Sequence, residues 1–193
     1  MISLPDWAFY PLAAAVIGAG VFAAINAGGN EFRSQEDILE TGLVYEGADL
    51  NAITLGNGLE ATLLEHVDGT FIRIAAVRGP LDGPQSAGAF YTLSPDEISA
   101  LQGHNLQIIV RARTAADSGA DATRLTFFTQ GISQESWREQ ELQADFIDYT
   151  ITVTPPNCVW DYAFIGLWPD WNVNANTIDV ERITLEAVEA SEC

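Results

Sequence analysis

The sequence predicts an all-β sandwich domain with one short linker helix, preceded by one transmembrane α-helix. Residues 7–27 contain no charged side chain, whereas apolar and polar residues alternate along most of the later chain. Such alternation is typical of half-buried strands, and turn-forming residues separate the alternating segments. We therefore expect an anchor over residues 1–29, a polar linker over 30–48 and an extracytoplasmic β-sandwich over 49–193.

The window of residues 7–27 is long enough to cross a bilayer. It is 21 residues long, and at about 1.5 Å per residue such a helix spans a hydrocarbon core of about 30 Å. Aromatic residues including Trp7 and Tyr10 gather at its first end, as expected at the headgroup level. A cleaved signal peptide is the alternative, but the leading MISLPDW has no Lys or Arg and carries an acid. We expect a retained anchor in the lipid bilayer.

Small residues repeat at a spacing of four along this span. Such a pattern lets a second helix approach closely, although a plain anchor tolerates the same composition. The predicted packing residues are Ala14, Ala15, Gly18, Ala19, Gly20 and Ala23. The same glycines resemble a dinucleotide-binding turn, but neither the long helix nor the later ribose-binding acid of such a site follows. A nucleotide site is therefore excluded.

Composition limits the partners of the protein. The chain has 27 acidic and 8 basic residues, all of the latter arginine, for a net charge of -19. This charge repels phosphate backbones, so we predict no nucleic-acid binding. The two cysteines, Cys158 and Cys193, form either a disulfide or two unpaired thiols. A β-rich domain with a candidate disulfide favours the periplasmic side of a bacterial inner membrane, although Arg33 beside the span favours the opposite orientation.

Seven segments after residue 59 have the composition and alternation of β-strands. They cover residues 60–67, 70–77, 106–114, 123–130, 145–153, 161–168 and 178–188. One segment, LSPDEISALQG, is instead typical of a short helix. Ser94 and Glu97 form a capping box, Pro95 occupies the first helical position and Gly103 ends the helix.

The order of these segments resembles that of galactose-binding-like jelly rolls, especially the carbohydrate-binding modules of bacterial glycanases. TFIRIAAV resembles an early strand of this family, and LQG followed by LQIIVRART resembles its G-x-x-Y-x-x-x-x-x-x-R strand. SWREQELQADFIDYTITV resembles a later hairpin, and IDVERITLEAV the closing I-D-D-V-x-L strand. The resemblance extends from about Leu55 to Val188 and implies a jelly-roll β-sandwich. Function does not follow from it, because this fold carries unrelated activities.

A structural calcium ion is a further implication of the resemblance. Asp179 matches the aspartate of the closing motif, and Glu60 matches a glutamate near the start of the family's domain. The second aspartate of the closing motif is Glu181 here, after Val180, so the register differs. Carboxylate oxygens are suitable ligands for calcium. No other cofactor is predicted.

Catalytic motifs are missing, whereas exposed aromatic candidates are present. His66 and His104 each flank a predicted strand, and there is no G-x-S-x-G motif, so we predict a protein that is not an enzyme. Trp168 and Trp171 flank a Pro-Asp pair. An exposed indole there would stack on a sugar or insert into a partner protein, whereas the alternative is that at least one caps the core.

The predicted function is that of a non-enzymatic, single-span accessory subunit of a larger bacterial membrane protein complex, respiratory or photosynthetic. Its helix would pack against integral membrane subunits, and its jelly roll would dock on their outer face. The first alternative is a membrane-anchored carbohydrate-binding module of the cell envelope that contacts glycan through Trp168, Trp171 or Trp137. A secreted domain that loses its first 27 residues is the second.

Overall fold

The computed structural model describes residues 34–66, 69–79, 88–132, 137–172 and 174–191. No helix within these ranges is long and apolar enough to cross a membrane. The predicted span and its packing residues, Ala14, Ala15, Gly18, Ala19, Gly20 and Ala23, lie outside the described residues. The elements are α1 (Gln35–Thr41), β1 (Leu43–Glu46), a 3-10 helix (Gly47–Ala52), β2 (Thr54–Leu55), β3 (Leu59–His66), β4 (Gly69–Ala76), β5 (Ala89–Thr92), α2 (Pro95–Leu101), β6 (His104–Thr114), β7 (Ala122–Thr129), β8 (Arg138–Glu141), β9 (Ile147–Val153), β10 (Ala163–Pro169) and β11 (Thr177–Ala190).

Two antiparallel sheets form a jelly roll. The six-stranded sheet has the order β3-β4-β11-β6-β9, with β1 also beside β11, and the five-stranded sheet has the order β2-β5-β10-β7-β8. The last eight strands pair first with last: β4 with β11, β5 with β10, β6 with β9 and β7 with β8. This nested pairing is that of an eight-stranded ribbon wound into two sheets, which is the jelly-roll topology. The predicted fold is therefore confirmed for the described domain.

The core lies between the sheets and follows the alternation of the strands. In β6 the side chains of Leu106, Ile108 and Val110 are fully buried, while those between them are half-buried. Leu125 and Phe127 of β7 contribute from the other sheet. All seven predicted strands are present. The structure adds β1, β2, β5 and β8, which have only two to four residues each and are too short to show alternation.

The predicted polar linker over residues 30–48 is wrong from residue 34 onward. A compact unit begins at Ser34, whose side chain caps α1 in a capping box with Asp37. Ile38 is 1% exposed, and β1 adds to the six-stranded sheet by pairing Leu43 with Leu185. Two buried apolar side chains in a mostly polar stretch are enough to attach it to the core, so the domain begins about 15 residues earlier than expected.

The predicted linker helix is confirmed as α2. Ser94 and Glu97 form the capping box, and Pro95 opens the helix. Ile98 and Leu101 are buried. The helix therefore carries the chain from β5 in one sheet to β6 in the other while covering one end of the core.

Candidate functional site

The outer face of the five-stranded sheet carries a group of aromatic side chains. In β10, Ala163, Ile165 and Leu167 are buried in the core, so the alternate residues Phe164 and Trp168 lie on the outer side. The same alternation places Phe90 of β5 and Phe128 of β7 on the outer side. Trp137, which precedes β8, and Tyr162, which precedes β10, lie beside them. We call this surface the aromatic face; it consists of Phe90, Phe128, Trp137, Tyr162, Phe164 and Trp168.

The rings of the aromatic face are in contact with one another. Phe90 and Phe164 have centroids 5.4 Å apart in an edge arrangement, and Tyr162 lies 5.7 Å from Phe164. Phe128 and Trp137 are also 5.4 Å apart, and Phe128 is the direct cross-strand neighbour of Phe164. These separations are typical of favourable aromatic pairs. The rings therefore form one continuous surface across β5, β10, β7 and the start of β8.

Solvent reaches most of this surface. Tyr162 is 43% exposed, and Phe90, Phe128, Trp137 and Phe164 are half-buried. Half-buried aromatic rings on the outside of a sheet keep apolar area in contact with water. A ligand that covers these rings would gain the free energy of removing that area from water.

Trp168 does not contact solvent, and its predicted role as a direct glycan or partner contact is wrong. Its side chain is 0% exposed, its Nε1–H donates a hydrogen bond of 3.1 Å to the carbonyl oxygen of Arg78, and its ring lies 6.4 Å from that of Trp137. The alternative interpretation, a tryptophan that packs, is correct because the indole both fills space and satisfies a backbone acceptor.

Trp171 is 37% exposed, but one face of its ring is occupied. The guanidinium carbon of Arg124 lies 4.3 Å from the ring centroid. A Cβ atom placed on Gly79 would lie only 2.6 Å from Cε2 of the Trp171 indole. The backbone of Gly79 therefore packs directly against the ring. Ligand contact by Trp171 stays a prediction, restricted to the part of the indole that these two residues leave open.

Carboxylates lie at both ends of the aromatic face. At the Trp171 end, Arg124 donates two hydrogen bonds, of 3.2 and 2.8 Å, to Oε2 of Glu139. At the Tyr162 end, Gln130 Nε2 donates to Oδ2 of Asp161 at 3.1 Å. Within the described residues the second oxygen of each carboxylate accepts no hydrogen bond. Each end therefore presents an oriented acceptor to solvent.

The outer face of the six-stranded sheet is charged. Asp179 of β11 is 0% exposed, and Arg73 of β4 donates to its Oδ1 at 2.7 Å and to its Oδ2 at 3.0 Å. Arg113 of β6 donates its Nε–H to Oδ2 at 3.2 Å. The three residues are direct cross-strand neighbours. The hydrogen bond to Asp179 raises the pKa of Arg73 above its ordinary value.

This geometry disagrees with the calcium site predicted from Glu60 and Asp179. Both oxygens of Asp179 are bound by arginine, whose positive charge repels a cation. Glu60 is exposed on β3 and pairs with Ala75, two strands away from β11. Among the described residues no group of three acidic, histidine or cysteine side chains is placed to hold a metal. Asp179 pairs with arginine because the strand register places it directly opposite Arg73 and Arg113.

Further ion pairs continue along the same face. Arg111 donates its Nε–H to Oε2 of Glu181, and this bond raises the pKa of Arg111. Oδ1 of Asp148, on β9, lies 3.6 Å from Nη1 of Arg111 and 3.6 Å from Nη2 of Arg182. We call this surface the arginine face; its ionic residues are Arg73, Arg111, Arg113, Arg182, Asp148, Asp179 and Glu181.

Within the described ranges, the cysteine and histidine side chains form no catalytic arrangement. Cys158 is disulfide-bonded, and the chain's other cysteine, Cys193, lies outside the described residues, so their pairing stays a prediction. His104 Nδ1 lies 3.0 Å from the carbonyl oxygen of Gln102 in the turn before β6. His66 ends β3, at the opposite edge of the sheet order from β9. The absence of enzymatic activity also stays a prediction.

No family model and no curated protein matches the sequence. Among solved structures, the chain is similar to the CBM22-1 and GH10 modules of Clostridium thermocellum endo-1,4-beta-D-xylanase 10B complexed with xylohexaose, at 9% identity and TM-score 0.48 over 72% of this chain and 26% of that one. It is similar to a sugar-binding protein of Bacteroides thetaiotaomicron at 5% identity and TM-score 0.47, over 70% and 86%. It is also similar to the tandem family 22 modules of Paenibacillus barcinonensis Xyn10C, at 10% identity and TM-score 0.46, over 76% and 43%.

Most of the aromatic face was not predicted from the sequence. The predicted aromatic contacts were Trp137, Trp168 and Trp171, and they included neither the phenylalanines nor Tyr162. The spacing in DYAFIGLW does place Tyr162 and Phe164 on the same side of a strand. What the spacing does not determine is which side of β10 meets the other sheet, because both sides carry apolar residues.

Proposed function

We propose that this domain binds glycans and that the aromatic face is the binding surface. The observation that carries the proposal is a continuous set of partly exposed rings, with an oriented carboxylate at each end. Aromatic rings provide flat apolar area for the C–H faces of sugar rings, and a small number of polar groups fixes the orientation of a ligand. Hydroxyl groups of a sugar would donate to the second oxygens of Glu139 and Asp161.

Charge favours an uncharged glycan on this surface. The chain has a net charge of -19, and the carboxylates at both ends of the aromatic face would repel an acidic polysaccharide. Arg124 offers no compensating positive charge, because Glu139 already pairs with it. A neutral polymer is not subject to this repulsion, so its binding should depend only weakly on salt.

The accessory-subunit hypothesis has a different basis. Its membrane part depends on residues 7–27, which lie outside the described residues. Within the described residues no feature distinguishes a membrane-complex partner from any other ligand of the aromatic face. Binding to glycan and association with a membrane complex are therefore the two outcomes that the following experiment separates.

The test measures binding of the full-length protein to a panel of soluble neutral polysaccharides by affinity electrophoresis, followed by calorimetry on the strongest ligand. Replacement of the exposed ring in Tyr162→Ala should weaken binding about tenfold, or about 1.4 kcal/mol, because it removes the most exposed ring of the aromatic face. Phe164→Ala should have a similar effect.

The matched control is Val188→Ala. Val188 has the same exposed fraction as Tyr162, 43%, but lies on β11 of the other sheet, so this variant should bind like the wild type. Equal loss in the control and in Tyr162→Ala would contradict the proposal, as would no retardation by any polysaccharide. Co-purification of the native protein with a membrane complex, in the absence of glycan binding, would favour the accessory-subunit hypothesis instead.

A further inference from the structure

Arg113 is held in a fixed position on the arginine face. Its guanidinium carbon lies 4.3 Å from the ring centroid of Phe146 and 5.3 Å from that of Phe71, and its Nε–H is bonded to Asp179. Two ring contacts and one hydrogen bond restrict a side chain that is otherwise flexible. Little conformational entropy therefore remains to be lost when this guanidinium binds a further group.

The outer end of Arg113 has unused donors. Within the described residues its two terminal amino groups make no hydrogen bond, and the side chain is 32% exposed. Arg73 donates hydrogen bonds to Asp179 through Nε and Nη2, and its Nη1 makes no hydrogen bond within the described residues. Two guanidinium groups thus share one buried carboxylate, and together the three residues carry a local charge of about +1.

This concentration of arginine is unusual for so acidic a chain. Of the seven arginines that follow Arg33 in the sequence, four lie on the arginine face. The acids among them, Asp148, Asp179 and Glu181, are paired with arginine. The repulsion from distant acidic residues is screened over about 8–10 Å at physiological salt. Asp117 is nearer, because its charge also raises the pKa of Arg73. A small anion would therefore be attracted by Arg113 and the adjacent arginines and repelled by Asp117 at the Arg73 side of the site.

We propose that Arg113 and Arg73 form a binding site for the carboxylate group of a small ligand. The two terminal amino groups of a guanidinium match the two oxygens of a carboxylate in a bidentate arrangement. A local charge of about +1 at these residues matches a monocarboxylate better than a polyanion. The site lies on the opposite side of the sandwich from the aromatic face, and it does not depend on the proposed glycan function.

The experiment follows the arginine Nε–Hε signals of the full-length protein by NMR during titration with sodium glucuronate. The signals of Arg113 and Arg73 should shift and saturate, with a dissociation constant on the order of millimolar, while that of Arg138 on the other sheet should not move. Glucose has the same ring without the charge and should cause no shift. Sodium sulfate is the control for non-selective anion binding. Its oxygens can also contact a guanidinium in a bidentate arrangement, but two negative charges are poorly matched to a local charge of about +1, so it should bind more weakly than glucuronate.

Two variants complete the test. Arg113→Gln keeps a polar but shorter side chain without the charge and should abolish saturable binding of glucuronate, whereas the control Arg138→Gln should bind like the wild type. Arg113→Lys keeps the charge and loses the two parallel donors, so binding should weaken about tenfold. The wild-type titration decides the matter even if a variant fails to fold. No shift at Arg113, an equal shift with glucose, or sulfate binding as tight as glucuronate binding would overturn the proposal.

Discussion

The outer faces of the two sheets are covered by different chemistry. On the six-stranded sheet, arginine and carboxylate side chains bond across neighbouring strands and Asp179 is completely buried beneath them. On the five-stranded sheet, aromatic rings contact one another at centroid distances between 5.4 and 6.4 Å, and the ion pair of Arg124 with Glu139 lies near its rim. Both faces belong to the same sandwich and share one core.

The difference shows how each face is stabilised and what each can bind. Aromatic packing depends on buried area and is insensitive to salt, whereas ion pairs depend on the charge of every member. Rings present area for uncharged ligands, and guanidinium groups present donors for anions. Four changes would test this contrast, the first with the largest expected effect on stability.

Removing the buried indole of the aromatic face should have the largest effect. Trp168→Ala should lower the free energy of unfolding by about 3–5 kcal/mol, because it leaves a large cavity and an unpaired carbonyl on Arg78. Trp168→Phe keeps most of the volume and should cost about 1–2 kcal/mol. Urea denaturation measures both values. A loss below about 1 kcal/mol in the alanine variant would show that the ring does not hold this face together.

Breaking the buried ion pairs of the arginine face should have the next largest effect. Asp179→Asn removes the charge shared by Arg73 and Arg113 and should cost about 2–3 kcal/mol, less than for a fully buried pair because both arginines are 32% exposed. Glu181→Gln, a control on the same strand, should cost less than about 1 kcal/mol because both members of its pair are partly exposed. Equal costs in urea denaturation would mean that burial of Asp179 adds nothing.

A buried aromatic residue of the five-stranded sheet should make stability depend on pH. Tyr91 is buried, its hydroxyl donates to the carbonyl oxygen of Leu50 at 2.7 Å, and burial raises its pKa above the ordinary value. Above about pH 10 the unfolded chain therefore loses this proton first, so stability falls as pH rises.

Tyr91→Phe should cost about 1 kcal/mol at pH 7 by removing one hydrogen bond. It should also lose less stability than the wild type between about pH 9 and 11, as measured by urea denaturation at both values. Tyr162→Phe, which removes the hydroxyl of a tyrosine that is 43% exposed, is measured beside it as the control. If Tyr91→Phe lost as much stability as the wild type over this pH range, deprotonation of Tyr91 would not be the cause of the alkaline loss.

The exposed ion pair at the rim of the aromatic face should have the smallest effect on stability. Arg124→Gln removes a pair whose acid, Glu139, has a 59% exposed side chain, so the cost should be below about 1 kcal/mol. The same change uncovers one face of Trp171 and should shift its fluorescence. A large loss of stability would contradict this prediction, because it would mean that the exposed pair contributes as much as the buried ion pairs of the arginine face.

Strong local patterns predicted much of the fold. Alternation over eight or more residues placed β3, β4, β6 and β11, and the capping box of Ser94 and Glu97 placed α2. The start of the domain was misplaced because few apolar residues attach α1 and β1 to the core, namely the buried Ile38 and Leu43 and the partly buried Tyr45. Strands of two to four residues carry too little alternation to be identified without their partners.

The candidate sites were predicted less well. Asp179 was correctly located on the closing strand but assigned to calcium, because the sequence does not show that Arg73 and Arg113 lie beside it. Trp168 was expected to be exposed beside a proline, yet the backbone carbonyl of Arg78 and the ring of Trp137 cover it. In both positions the partners are at least 31 residues away along the chain.

The sequence by itself determined which segments form strands and helices, since alternation and helix capping are local properties of the chain. It also determined the strong negative charge and the spacing that places Tyr162 and Phe164 on one side of β10. Only the tertiary structure decided which side of each strand meets the core and which charges face one another across strands. The physical reason is that burial and ion pairing depend on strand register between distant segments, and a strand with apolar residues on both sides does not specify its inner face.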